Sequence, residues 1–299
     1  MTSTNARRAS KGLATMNTTI RAANAPTQYA DAAGVRYAYR RFGRSGSVPL
    51  LCLQHFTGTL DNWDPAIVDV LAEDREVILF DNAGVGASGG EVPTTVAGMA
   101  EHAMRFIDAI GLTRQHILGF SLGGFVAQEV ALARPAAIGR MILSGSAPEG
   151  GEGAGMDRPE LVAIYTNGEM PMNEKLKRLF FPATADAQAA AAAFVDRLET
   201  RGSERDTPAS PAVAATQLQA MIAWANWRGD VREKLAGITH PVLVTNGDND
   251  IMIPTKNTLL LAEGLPNATL IVYPNSGHGA LFQYASAYVS HVRTFLDGA

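Results

Sequence analysis

Residues 117–132 read "ILGFSLGGFVAQEVAL": an apolar run, one serine among glycines, then apolar residues at helical spacing. Glycine weakens strands and helices alike. Gly119, Gly123 and Gly124 around Ser121 therefore mark a turn where backbones must approach closely. A buried strand (115–120) runs into this turn and a helix (122–135) leaves it, closed before Pro135. Gly119-Phe120-Ser121-Leu122-Gly123 fits G-x-S-x-G, which in a strand–turn–helix setting lifts a serine hydroxyl above the sheet edge. The Leu122 N–H then lies at a helix N-terminus, where it can stabilise a developing oxyanion. The plainer reading is a serine that only caps the helix.

Working outward, "GVRYAYRRFG" (34–43) alternates as a half-buried edge strand does, while "VPLLCLQ" (48–54) and "REVILFD" (75–81) read as buried parallel strands. Between them, 64–73 is a short helix with Asp64 as cap and Pro65 in the first turn. From Thr95, Val96, Met99, Ala100, Ala103, Phe106, Ile107 and Ile110 recur at helical spacing, and Gly111 ends the run. "GRMILSG" (139–145) is the next strand. Alternating strands and helices require a mostly parallel, twisted, doubly wound sheet with helices on both faces.

From 147 to 237 no buried strand is readable, only a Gly/Glu-rich loop, an alanine-rich amphipathic stretch and the aromatic "MIAWANWRGD". Strand rhythm resumes at 239–248, followed by a helix (256–265), the strand 268–274 and a last helix near 282–296. The expected division is a flexible leader (1–26), a core (27–146 and 238–299) and a helical insertion (147–237).

Apolar residues make up 46% of the chain and charged ones 18%, with a net charge of −4. That balance points away from nucleic acid and anionic membranes as partners. No window approaches the roughly 20 apolar residues of a membrane span. Cys52 is the one cysteine, so no internal disulfide can form. The polar start lacks a secretory apolar region, which makes a cytoplasmic location the default expectation. "GVGASG" (84–89) satisfies the dinucleotide pattern G-x-G-x-x-G, but Asp81, Asn82 and Ala83 stand between the strand's apolar run and the first glycine, and its helix starts only near Thr95. With H-E-x-x-H also absent, no cofactor and no metal are expected.

From about residue 35 onward the chain resembles the α/β-hydrolases, with 147–237 in the place of that family's cap, inserted after the sixth strand. A serine nucleophile needs a base, itself oriented by a third group. In parallel sheets chemistry gathers at the carboxyl ends of strands. His116 and His240 stand where strands begin, and His102 and His291 fall inside helices. His278, between Gly277 and Gly279 after the last strand, is the expected base. Two acids, Asp248 and Asp250, follow the strand before it. The family's G-x-x-D-x-x-x-P lands on Gly247, Asp250 and Pro254, which implies Asp250 and leaves Asp248 to fold back on its turn. "DNAGVGAS" resembles the family's structural Asp-x-x-Gly-x-Gly-x-Ser turn.

The resemblance places a second oxyanion donor at the Phe56 N–H beside that of Leu122. Gln54 and His55 stand where relatives often carry His-Gly, a departure that leaves His55 either structural or in contact with substrate. The implied activity is hydrolysis of a small to medium, largely apolar ester or lactone through an acyl-enzyme. Cofactor-free perhydrolysis, carbon–carbon bond hydrolysis (for which the glycine-rich oxyanion loop is missing) and a ligand sensor on the same scaffold are the alternatives. Dehalogenases and epoxide hydrolases need an acid at position 121. The insertion holds ten basic and thirteen acidic residues from 147 to 236, which advertises no strong preference for charged substrates. Met170, Met172, Phe180, Phe181, Met221, Trp224 and Trp227 either line an apolar pocket or pack the insertion, with Trp224 and Trp227 the expected substrate contacts.

Overall fold

A computed structural model describes residues 20–298. The first half of the chain runs β1 (Gln28–Ala32), β2 (Val35–Gly43), β3 (Leu50–Leu53), α1 (Pro65–Leu71), β4 (Glu76–Phe80), α2 (Val96–Ala109), β5 (Gln115–Phe120), α3 (Leu122–Ala133) and β6 (Ile138–Ser144). Five helices follow: α4 (Pro159–Tyr165), α5 (Met172–Phe180), α6 (Ala185–Leu198), α7 (Pro211–Ala225) and α8 (Val231–Ala236). The chain ends with β7 (Val242–Gly247), α9 (Lys256–Gly264), β8 (Ala268–Tyr273), α10 (Ala280–Gln283) and α11 (Ala285–Asp297).

The sheet order is β1-β2-β4-β3-β5-β6-β7-β8, with β2 antiparallel to both neighbours and the other pairs parallel. From β3 the chain steps one way to β4, then crosses back to β5 and continues the other way. Right-handed crossovers in opposite directions put α1 on one face and α2, α3 and α9 on the other. α11 packs on α1, and α2 on α3. The reversal leaves a crevice at the carboxyl ends of β3 and β5, the place where such sheets bind ligands.

Local chemistry explains the elements beside that crevice. β3 and β5 are buried along their whole length, as apolar runs with layers on both faces must be. Asp64 Oδ1 accepts from the Ala66 N–H at 2.9 Å and Pro65 opens α1. Thr95 Oγ1 accepts from Gly98 N at 3.0 Å, and the apolar stripe of α2 from Val96 to Ile107 is buried.

One edge differs from expectation. β2 is not the sheet edge, because β1 pairs along it in a hairpin. Its two turn residues, Ala33 (φ 49°) and Gly34 (φ 79°), both take positive φ, the type I′ signature. Ala-Gly stands where Asn-Gly or Asp-Gly would have announced the turn.

Of the expected leader, residues 1–19 lie outside the described residues. Residues 20–26 pack on the core: Ala22 N donates to Asp69 Oδ1 at 2.7 Å, and Arg201 Nη1 donates to the carbonyls of Ala22, Ala23 and Ala25 at 3.2, 3.3 and 2.9 Å. The stretch between β6 and β7 is joined to the core by further ionic contacts. Arg197 grips Asp64 through two bonds of 2.8 and 2.7 Å. Asp61 takes Arg40 Nη1 on one oxygen at 2.7 Å, a buried pair, and the half-buried Asp206 amide on the other at 2.7 Å. Buried charges are tolerated only when paired, so this loop is held in place. Among the described residues no helix is long and apolar enough to cross a membrane.

Candidate active site

Ser121 joins β5 to α3 with φ 56° and ψ −121°, a conformation that costs a side-chain-bearing residue about 1–3 kcal/mol. The surroundings hold it there. Ser121 N donates to Ser144 O at 2.9 Å, and the Ser121 carbonyl accepts from Gly124 N at 2.8 Å and Ser146 Oγ at 3.1 Å. A Cβ on Gly119 would stand 2.5 Å from Gly123 O, and one on Gly123 would stand 2.0 Å from Leu53 O. The glycines therefore let three backbones meet: the end of β5, the start of α3 and the loop leaving β3.

His278 follows β8. Its Nδ1 lies 2.7 Å from Asp250 Oδ2, and both side chains are buried. Asp250 Oδ1 accepts from the amides of Met252 and Ile253 at 2.7 and 2.9 Å. A carboxylate can only accept, so His278 Nδ1 carries a proton, and in the neutral ring the lone pair falls on Nε2. The imidazole packs against Phe120 at 5.0 Å, the residue preceding Ser121, and against Phe180 at 5.4 Å. Ser121 Oγ and His278 Nε2 are both buried without a hydrogen-bond partner among the described residues. Asp248 is exposed and accepts from Asn249 Nδ2 at 2.7 Å and Ser276 N at 3.1 Å, shaping the turn. The two acids thus have separate surroundings, and only Asp250 meets the histidine.

The loop after β3 carries His55 and Phe56. His55 Nδ1 donates to Phe56 O at 2.8 Å, which leaves Nε2 as a second buried, unpartnered lone pair. Burial lowers the His55 pKa to about 4, with a further push from His278, so the ring is neutral near pH 7. Its edges meet Phe120 and Phe180 at 5.4 and 5.3 Å. Thr57 N donates to Gln217 Oε1 at 2.7 Å, linking this loop to α7. The Phe56 amide donates to no other group among the described residues, and Leu122, first in α3, has no intrahelical acceptor for its own. The remaining histidines lie elsewhere, His102 on Tyr37, His291 on Tyr273, His116 on the Arg140 amide and His240 on Pro135 O.

A cavity of about 400 Å³ opens between this loop and the helices that follow β6, with Phe56, Met172, Leu176, Leu179, Leu218 and Met252 among its walls. Ser121, Asp250 and His278 are buried and do not line this cavity, whereas His55 and Phe56 do. Reading the sequence by residue type selected Met172 and Phe180 here but missed Leu176, Leu179 and Leu218. The spacing 172, 176, 179, 180 on one helix was the available signal.

Trp224 and Trp227 do not line this cavity, which corrects their expected role as substrate contacts. Trp224 stacks on Phe125 of α3 at 5.2 Å and 10°, with Lys234 Nζ 5.0 Å from its ring and 5.7 Å from that of Trp227. On α7, Leu218 faces the cavity. Trp224 comes six residues later, about 240° around the helix, and points to the core. Trp224 thus joins α7 to α3, and Trp227 shares Lys234 of α8 with it.

"GVGASG" folds as a tight structural turn. Asp81 accepts from Leu60 N at 2.9 Å and Ala87 N at 3.1 Å, and a Cβ on Gly86 would stand 2.1 Å from Asp81 Oδ2.

Comparison with known proteins agrees with this geometry. The family model described as "alpha/beta hydrolase fold" matches residues 48–285. An α/β-hydrolase fold protein from Chitinophaga pinensis is 40% identical, covering 94% of this chain and 100% of its own with a TM-score of 0.89. The protein named "Putative carbamate hydrolase RutD" of Caulobacter sp. (strain K31) is 30% identical over 248 residues, 79% of this chain and 85% of that one. The enol-lactonase of Burkholderia xenovorans LB400 is 22% identical with a TM-score of 0.73, covering 90% of this chain and all of its own, a likeness of fold alone. Sheet order, serine turn and family match agree: the chain belongs to the α/β-hydrolase family.

Proposed function

We propose that this chain is a serine hydrolase that cleaves a small to medium, largely apolar carboxylic ester or lactone. The observation that supports the reading is the buried Asp250–His278 pair, whose imidazole packs on Phe120, the residue before Ser121, while His278 Nε2 and Ser121 Oγ are both left without a partner among the described residues. Residues 147–237 act as the cap over that site. His278 Nε2 takes the Ser121 proton while Oγ bonds to the carbonyl carbon, and the amides of Leu122 and Phe56 hold the oxyanion. The same proton passes to the leaving alkoxide as the C–O bond breaks. Water then attacks the acyl carbon, giving its proton to His278, which passes it to Ser121 Oγ as the acyl C–O bond breaks and the acid product is freed.

Carbamates are the second substrate class, favoured by the 30% identity to the relative whose name carries that activity. They present the same carbonyl to the same groups.

A panel of 4-nitrophenyl esters, lactones and carbamates, with and without peroxide, tests the reading. Sustained turnover that Ser121→Ala abolishes is expected, whereas one equivalent of product per chain would indicate a sensor. Turnover unchanged by Ser121→Ala would remove the nucleophile. Peroxide-dependent products only would favour perhydrolysis.

A further inference from the structure

Resting on the reading above, we propose that Lys175 makes this pocket selective for esters or lactones that carry a second, remote carboxylate. The cavity-facing residues of α5 are Met172, Lys175, Leu176, Leu179 and Phe180, the i, i+3, i+4, i+7, i+8 stripe that a helix turns toward an apolar neighbour. Lysine occupies one position of that stripe. Among the described residues it is the only Asp, Glu, Lys or Arg on the walls of the 400 Å³ cavity.

Lys175 also stands apart from its own kind. Among the four described lysines, Lys177 pairs with Glu174, Lys234 with Glu129 and Glu149, and Lys256 with Glu152. Lys175 has no carboxylate partner among the described residues. Its Nζ donates to the carbonyl of Tyr165, the last residue of α4, at 3.0 Å. An ammonium has three N–H donors, so two remain. His55, which also lines the cavity, is neutral and adds no competing charge. A cation in largely apolar surroundings gains most from an anion that enters with the ligand. A cavity of this size holds a small amphipathic molecule, its acyl chain against Leu176, Leu179 and Leu218 and its anionic end at Lys175.

The plainer role is a strut, with the ammonium capping the end of α4. A strut would support every substrate equally, and this separates the two.

The test compares mono-4-nitrophenyl glutarate with 4-nitrophenyl pentanoate, matched in chain length and differing in the carboxylate. In the wild type kcat/KM is expected to favour the glutarate, through KM. Lys175→Met should lower that ratio about 10- to 100-fold, the range of a charge-assisted hydrogen bond, and Lys175→Arg should retain most of it. A wild type that shows no preference, or a Lys175→Met ratio within twofold of wild type, overturns the proposal while leaving the hydrolase reading intact. So does a loss of thermal stability with equal losses on both esters. If neither ester turns over, the hydrolase reading fails. Calorimetric titration with monomethyl glutarate then decides the inference: binding by wild type that Lys175→Met abolishes upholds it, and no binding by wild type ends it.

Discussion

Replacing Asp250 by asparagine exchanges one carboxylate oxygen for an amino group at a point where both oxygens are used. Oδ1 accepts from the amides of Met252 and Ile253, and Oδ2 accepts from His278 Nδ1. A single amide oxygen must choose. If it keeps the two backbone donors, its NH₂ faces Nδ1, which must then present a lone pair. The imidazole proton moves to Nε2, and the atom needed to take the Ser121 proton is blocked. If the amide turns over, the tautomer is restored but two buried N–H donors lose their acceptor. Each such loss costs about 1–3 kcal/mol, so about 2–6 kcal/mol for both. At about 1.4 kcal/mol per factor of ten, the competent orientation is depleted by about 30- to 10⁴-fold. Steady-state hydrolysis of a 4-nitrophenyl ester by Asp250→Asn should show kcat reduced within that range. KM should change little, because Asp250 is not on the cavity wall. Asp248→Asn, altered only at an exposed turn, should stay within about threefold of wild type. An Asp250→Asn enzyme retaining more than a tenth of wild-type kcat would refute this reasoning, as would an equal loss in Asp248→Asn.

Ser121→Gly should be inactive yet more stable, since Oγ makes no hydrogen bond and glycine accepts φ 56° freely; a melting temperature unchanged or lowered contradicts the strain. Gly123→Ala drives a methyl to 2.0 Å from Leu53 O, a backbone atom that cannot step aside. It should cost at least about 3 kcal/mol or displace the 53–58 loop, and thermal melting at wild-type temperature with full activity would show that the contact is soft. Burial and neighbouring arginines hold His116 at about 4, and burial holds His55 there too, both from an ordinary 6.5. The unfolded chain binds these protons first, so their contribution is complete above pH 6.5 and declines as pH falls toward 4, by about 1.4 kcal/mol per pH unit for each ring. His116→Gln, which keeps an acceptor for the Arg140 amide, should flatten the fall in melting temperature between pH 7 and 5; an unchanged slope would discount that ring.

The parts of the fold legible in sequence are those where one local pattern has one structural meaning. Consecutive buried residues in β3 to β7, the Asp64-Pro65 and Thr95 caps and the glycine-ringed serine each specify their own backbone. Strand ends located His278 and both candidate acids, and only the family's G-x-x-D-x-x-x-P chose Asp250, the acid that contacts His278. β1 was not: "QYADA" alternates too weakly for five residues, and an Ala-Gly turn is a poor hairpin signal. Trp224 failed for another reason. Apolarity says that a side chain is buried, whereas which of two buried surfaces it meets depends on helix rotation, fixed here by Gln217 reaching Thr57 and Trp224 reaching Phe125. The charge count of the insertion hid Lys175 in the same way, since a sum carries no positions.

Arg197 fastens α6 to Asp64 of the core, and Asp61 and Arg40 together hold Asp206 in the loop beyond it. Ser121 is sealed from solvent, so a substrate gains access only after something swings aside. The fastened margin is a poor place to part, because separating a buried pair strands a charge at about 3–5 kcal/mol. The far end of α5 is also tethered, Gly279 N donating to Phe180 O at 2.8 Å. α4 and the opening turns of α5, with Lys175 among them, make no ion pair with the core among the described residues.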